Sequence, residues 1–168
     1  YKLEIDSVRL LARTFRRVFP QVYLLRPPGT GELILMGSLN LLPLERLLEA
    51  PPGRLLASTG LEMPVDRLAI FLAGPRGVDD WVGVAPGLPV NTDRRGQLEF
   101  FGARSLHSAR ELAKENLTEL RNIGGTDPVI RYLPRRLQRD ANFKRLLARR
   151  KLRLGQLPEA LATLQGDD

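Results

Sequence analysis

A mixed α/β fold, with a partial sheet followed by mostly helical chain, is what this sequence predicts. Three observations predict it. Apolar residues recur every three or four positions from Ile5 to Phe19. Two short β-prone runs then flank a Pro/Gly turn. Beyond them, Pro and Gly divide the chain into short helical patterns that end in a strongly basic stretch.

The first helix is expected over Asp6 to Phe19. Ile5, Val8, Leu11, Phe15 and Val18 or Phe19 form one apolar face, and Arg9, Arg13, Arg16 and Arg17 fall mostly on the other. Asp6 or Ser7 can cap its start, and Pro20 follows its end. Val22–Leu25 and Leu33–Met36 are apolar without alternation, so both faces of the hairpin they form should be covered. Pro27-Pro28-Gly29-Thr30-Gly31 reads as their turn. It holds a lone Gly-x-Gly, but a phosphate loop needs a helix directly after it, and a strand pattern follows.

Short helices should occupy Leu41 to Phe71, broken at Pro51-Pro52-Gly53 and Gly60, with Pro64 opening one that runs through Leu72. Gly74 to Pro89 reads as a loop anchored by Trp81, and Asn91 to Phe101 as extended or irregular chain. A polar helix follows from Ser105, and Gly124-Gly125 looks like a hinge. The tail should hold helices at Asn142–Leu154 and Pro158–Leu164, with Gly155 between them as a helix stop. The expected organisation is therefore 1–106, a connecting helix and hinge over 107–125, and a basic helical tail over 126–168.

Composition narrows the chemistry. The 168 residues include no cysteine, which excludes disulfides, thiolate metal sites and cysteine nucleophiles. His107 is the single histidine, so a zinc site built from several imidazoles is excluded too. The formal net charge is +7, and it is concentrated. Arg135 to Arg153 carries nine Lys/Arg against one acid, Asp140, while the remainder holds 17 basic and 18 acidic residues. No stretch reaches the roughly 18 apolar residues of a membrane helix, and Tyr1 to Ile5 does not read as a signal peptide. The start without methionine, almost inside a helix, suggests a fragment, a processed chain or the remainder of a longer one.

The order of several short motifs resembles a known family. They are Leu11-x-x-Thr14-Phe15-x-x-Val18-Phe19-Pro20, the strand Val22–Leu25, and Glu32-Leu33-Ile34-Leu35-Met36-Gly37-Ser38. Gly60-Leu61 with Pro64 to Leu68 comes next. Leu88-Pro89-Val90-Asn91-Thr92-Asp93, Leu98-Glu99-Phe100 and Ala103-Arg104-Ser105-Leu106 complete the series. Together they resemble the C-terminal region of spermidine synthase-like proteins, the polyamine aminopropyltransferases. In particular they resemble the large bacterial type often fused to a transporter-like membrane region. The resemblance covers about Asp6 to Leu106.

It implies that this chain supplies the last helix and closing antiparallel hairpin of a Rossmann-like methyltransferase-type sheet. It also implies decarboxylated S-adenosylmethionine as the donor for the intact family, not bound by this chain alone, because the Gly-rich loop and catalytic acid precede the matching region. A cytoplasmic location follows, at the cytoplasmic face of a membrane if a transporter-like region is fused. The family pattern Asn-Thr-Asp-Asp-Arg-Pro departs here to Arg94 after Asp93, with Gly96 in place of proline. A role needing paired acids at that point is not supported.

Asn91, Thr92, Asp93 and Glu99 are the candidate cleft-lining residues, able to hydrogen-bond a polyamine's ammonium groups. The competing reading is local turns made by Asn and Asp. Asp79-Asp80-Trp81 reads as a helix N-terminal cap beside a core tryptophan, and His107 as a surface or capping residue. In the tail, Arg135, Arg136, Arg139, Lys144, Arg145, Arg149 and Arg150 are candidates for contact with a polyanion or a partner protein. Leu137, Phe143, Leu146, Leu147, Leu152 and Leu154 are interleaved at helical spacing, so a solvated helix face is the competing reading. Leu147-Ala148, Gly155, Ala160 and Leu164 resemble one tetratricopeptide-type helix pair, with Lys151 where that repeat places an aromatic.

Three functions are thus open: a transferase segment, a protein-interaction module with a repeat-like tail, and a basic nucleic-acid-binding accessory domain. The first expects the missing N-terminal part, or another copy of the chain, to cover an open hairpin edge.

Overall fold

The computed structural model describes residues 4–28, 32–49, 51, 60–83, 90–91 and, apart from 117, 121 and 124, 116–165. Helix α1 (Ile5–Val18) leads into β1 (Gln21–Leu25) and β2 (Ile34–Ser38). A short α2 (Arg46–Glu49) is followed by α3 (Pro64–Ala69), β3 (Phe71–Ala73) and α4 (Pro75–Gly83). Helical residues between 116 and 126 precede a 3-10 helix (Val129–Tyr132). The tail is α5 (Arg135–Arg139), α6 (Ala141–Arg153) and α7 (Leu157–Gln165).

The hairpin forms as expected, shifted slightly along its second strand: Gln21 faces Ser38 and Leu25 faces Ile34 in antiparallel register. β1 is buried on both faces, which explains its unbroken apolar run. Tyr23 and Leu25 enter one cluster with Phe71, Leu68 and Leu147, while Val22 and Leu24 enter a second with Leu72, Val78 and Trp81. Helix α1 covers the second cluster with Ile5, Val8, Ala12, Phe15 and Phe19. Its N-cap is Glu4 and not Asp6 or Ser7; Asp6 sits in the first turn and pairs with Arg9 at 3.0 Å. Phe19 lies on Gly37, where any side chain would collide with the ring.

Three expectations fail between residues 70 and 83. Helix α3 stops at Ala69, and Phe71–Ala73 forms a third strand on the free side of β1, giving the order β2-β1-β3. Unpaired backbone groups on a buried central strand are costly, so the tertiary setting overrides the helical spacing of Leu68 and Leu72. One edge of the hairpin, the β1 side, is therefore covered from within, and among the described residues no strand pairs with the far side of β2. Pro75–Gly83 is a helix and not a loop: Pro75 lies in its first turn, and Val78 and Trp81 are buried. Asp79 is within that helix and bonds Arg16 on α1, so it is not an N-cap. Trp81 is in the core, as expected, and donates its indole N–H to Glu119 at 2.8 Å. Arg9 ion-pairs with the same Glu119 and lies over the Trp81 ring.

The tail shares the body's core. Val129, Ile130, Leu133 and Leu147 pack in one buried cluster with Tyr23, Leu44, Val65 and Leu68. Gly125, expected in a hinge, lies in helical backbone against Pro158, where a Cβ would come within 2.9 Å. Asp127 is buried and bonds the Gly77 N–H at 2.9 Å and the Tyr132 hydroxyl at 2.6 Å. Burial and this bond to a carboxylate hold the Tyr132 phenol well above its usual pKa. Both tail helices fall where the periodicity puts them. Asp140 caps α6 by accepting from Asn142 and Phe143, and Gly155 turns the chain with φ 71°.

Candidate functional site: a basic cleft in the tail and a polar contact on α1

Apart from Arg153, the tail cations divide into three groups. Arg135 and Arg139, one turn apart on α5, and Lys144 on α6 line a cleft of about 610 Å³. Arg131 of the 3-10 helix and Gln138 join them, and Gly125, Ala162 and Gln165 close its sides. Among the described residues no carboxylate lines it. Arg131 is steadied by the Thr126 carbonyl at 2.7 Å and by the Asp127 carboxylate at 3.7 Å. The Gln138 amide nitrogen donates to the Leu133 carbonyl at 2.6 Å and to the Arg131 carbonyl at 3.3 Å, bracing α5 against the 3-10 helix.

The second group is structural. Arg150 leaves the basic face to pair with Asp66 at 3.0 Å, and Asp66 also accepts the Met63 N–H at the start of α3. Lys151, adjacent in sequence, is completely buried. Its ammonium donates to the Phe71 carbonyl of β3 at 2.6 Å and to Gln156 Oε1 at 3.2 Å. Burial lowers its pKa to about 8, against the opposing pull of the buried Glu159 carboxylate. Lys151 is thus a cation that fastens α6 to the sheet. Arg136, Arg145 and Arg149 form the third group, exposed and outside the cleft.

Of the polar candidates near the sheet, Asn91 is described: its N–H donates to the Thr14 hydroxyl of α1 at 3.1 Å. That hydroxyl donates in turn to the Leu10 carbonyl at 2.7 Å. Thr92, Asp93, Glu99 and His107 lie outside the described residues, as does the Gly29–Gly31 turn.

Arg131 was missed by reading the basic run from Arg135 onward. Arg131, Arg135 and Arg139 recur every fourth residue, a signal that Pro134 and the 3-10 helix interrupt. Among the described residues no cluster of His, Asp and Glu could hold a metal ion, and no helix is long and apolar enough to cross a membrane. No family model matches the chain, and neither a curated protein nor a solved structure matches it.

Proposed function

We propose that this chain is the C-terminal segment of a spermidine synthase-like aminopropyltransferase, contributing the last helix and closing hairpin of the catalytic sheet. It is not catalytically complete alone. The carrying observation is that residues bearing the resemblance touch one another. Phe19 rests on Gly37, and the Thr14 hydroxyl takes the Asn91 amide from 77 positions away. These contacts support reading the motifs as parts of one packed unit. The sheet edge agrees with the reading. Among the described residues no strand pairs with the far side of β2, and Ile34 at its start is 44% exposed. A larger sheet would continue from that side.

In the reaction this reading implies, an amine nitrogen of the acceptor attacks the aminopropyl carbon next to the sulfonium of decarboxylated S-adenosylmethionine. The C–N bond forms as the C–S bond breaks, methylthioadenosine leaves as a neutral thioether, and the amine loses a proton. The segment opening at Asn91, with Thr92, Asp93 and Glu99, would hold ammonium groups of the acceptor. The donor would be held by residues outside this chain.

The test is methylthioadenosine release from putrescine and the decarboxylated donor. The full-length protein carrying this chain should release it, and the chain alone should neither release it nor bind the donor at micromolar concentration. Transfer or donor binding by the chain alone, or no transfer by the full-length protein to any diamine, contradicts the proposal.

A second reading, docking of a protein partner on the helix pair, draws on Leu157, Leu161 and Leu164. They form an exposed stripe on α7.

A further inference from the structure

We infer that the cleft between the 3-10 helix, α5, α6 and α7 is a binding site for a compact polyanion carrying two or more phosphate groups. The inference is independent of the transferase reading, because it uses no residue of the sheet.

Convergence is the first argument. Arg131, Arg135, Arg139 and Lys144 arrive from three separate elements and face one concavity, on whose wall the described residues place no carboxylate. A solvated helix face would spread such charges outward; gathering them raises their mutual repulsion, and an anion relieves it. Contrast with the rest of the molecule is the second. Arg9, Arg16 and Arg150 each meet an acid from another element. Arg135, Arg139 and Lys144 form no ion pair among the described residues.

Preorganisation is the third argument. Arg131 is steadied by Thr126 and Asp127, and Gln138 ties the 3-10 helix to α5. Both elements that carry the guanidinium groups are therefore fixed before a ligand arrives, which lowers the ordering cost of binding. Guanidinium groups also match phosphate oxygens with paired donors.

Size and shape select a small ligand over a nucleic acid. The volume of about 610 Å³ falls within the range of small-molecule sites. Arg136, Arg145 and Arg149 stand outside it and do not extend it into a track. Among the described residues no aromatic lines it, so they offer no stacking platform of the kind single-strand readers use.

The test is calorimetric titration of the chain with tripolyphosphate, ATP and a 12-nucleotide single-stranded RNA at 150 mM salt. Tripolyphosphate and ATP should bind with one-to-one stoichiometry. ATP tighter than tripolyphosphate would mean that the nucleoside is read as well; equal affinities would mean that the phosphates alone are. The double variant Arg135→Gln/Arg139→Gln should weaken both at least tenfold. The charge-matched control Arg136→Gln/Arg149→Gln should stay within twofold of the parent. All four positions are exposed, and a circular-dichroism melt checks that each variant folds. Equal weakening by the two double variants, no tripolyphosphate binding at millimolar concentration, or RNA binding tighter than both small anions would overturn the inference.

Discussion

The sheet side and the tail of this molecule use cations differently. On the sheet side each arginine of α1 that is described with an ion pair works as a fastener. Arg16 joins α1 to Asp79 on α4, and Arg9 joins it to Glu119 beside the Trp81 ring. Among the described tail residues, Arg150 on Asp66 and Lys151 on the Phe71 carbonyl fasten separate elements in that way, while Arg131 is held locally by Thr126 and Asp127. The tail gathers four cations, Arg131 among them, around an open cleft. The difference teaches that charge density along a sequence does not reveal what charge does. Arg149, Arg150 and Lys151 are consecutive, yet one is exposed, one is paired and one is buried.

The largest effect should come from Lys151. Lys151→Ala leaves the Phe71 carbonyl and Gln156 without their donor and the buried Glu159 without its nearby cation, a loss of about 3–5 kcal/mol. Urea unfolding measures it, and a loss under about 1 kcal/mol would mean the lysine is not the pin.

A pH test sharpens the same point. The folded pKa of Lys151, about 8, lies below the ordinary value of 10.5. Between those values the unfolded state holds more protons, so this group makes stability rise as pH climbs from about 8. The penalty for burying the charge is fully present below that window. Tyr132 works in the opposite direction at higher pH, because its raised pKa keeps the folded phenol protonated while the unfolded one ionises. Lys151→Met should flatten the rise beginning near pH 8 and leave the alkaline fall in place. A parent protein whose stability falls from pH 8 to pH 9.5 would contradict the assignment.

Next in size is the packing of the first helix on the hairpin. Gly37→Ala should cost about 1–3 kcal/mol, because the methyl group meets the Phe19 ring. Phe19→Ala in the same chain should recover part of that loss. Strict additivity in the double-mutant cycle would show that the two residues do not press on each other.

Asp66 should come third. Asp66→Ala removes both a cap bond to Met63 and the pair with Arg150, together about 1–2 kcal/mol. Arg150→Gln should cost less, because only the pair is lost. Smallest is Arg16→Gln. The Arg16–Asp79 pair is partly exposed on both sides, and it should contribute less than about 1 kcal/mol and fade in high salt.

What was legible in the sequence follows from what local pattern can encode. The first helix and the hairpin were readable because their apolar spacing and the intervening turn belong to adjacent residues. The tail helices were readable through Gly155 and the leucine spacing. β3 was hidden because three residues after a helix carry no period; the uncovered edge of β1, far upstream, makes them a strand. Helix α4 was hidden by Pro75 and Gly77, which read as breakers but serve as a first turn and a close approach to Asp127. Gly125 likewise looked like a hinge and is a packing contact for Pro158.

The site was half legible. Arg135, Arg139 and Lys144 stood out as charge, but which tail cations would be taken by acids depended on Asp66, placed by tertiary structure. The burial of Lys151 was not readable, because nothing nearby in sequence reveals that it meets a strand carbonyl.

The division of labour between fastening and recruiting cations is best tested by a single thermal melt, run with and without tripolyphosphate on the parent, Arg150→Gln and Arg139→Gln. A ligand that binds only the folded chain raises Tm, so one experiment reads both stability and binding. Arg150→Gln should lower the ligand-free Tm and keep the tripolyphosphate-induced rise. Arg139→Gln should keep the ligand-free Tm and lose most of the rise. Two variants that lose both quantities alike, or neither, would contradict the account.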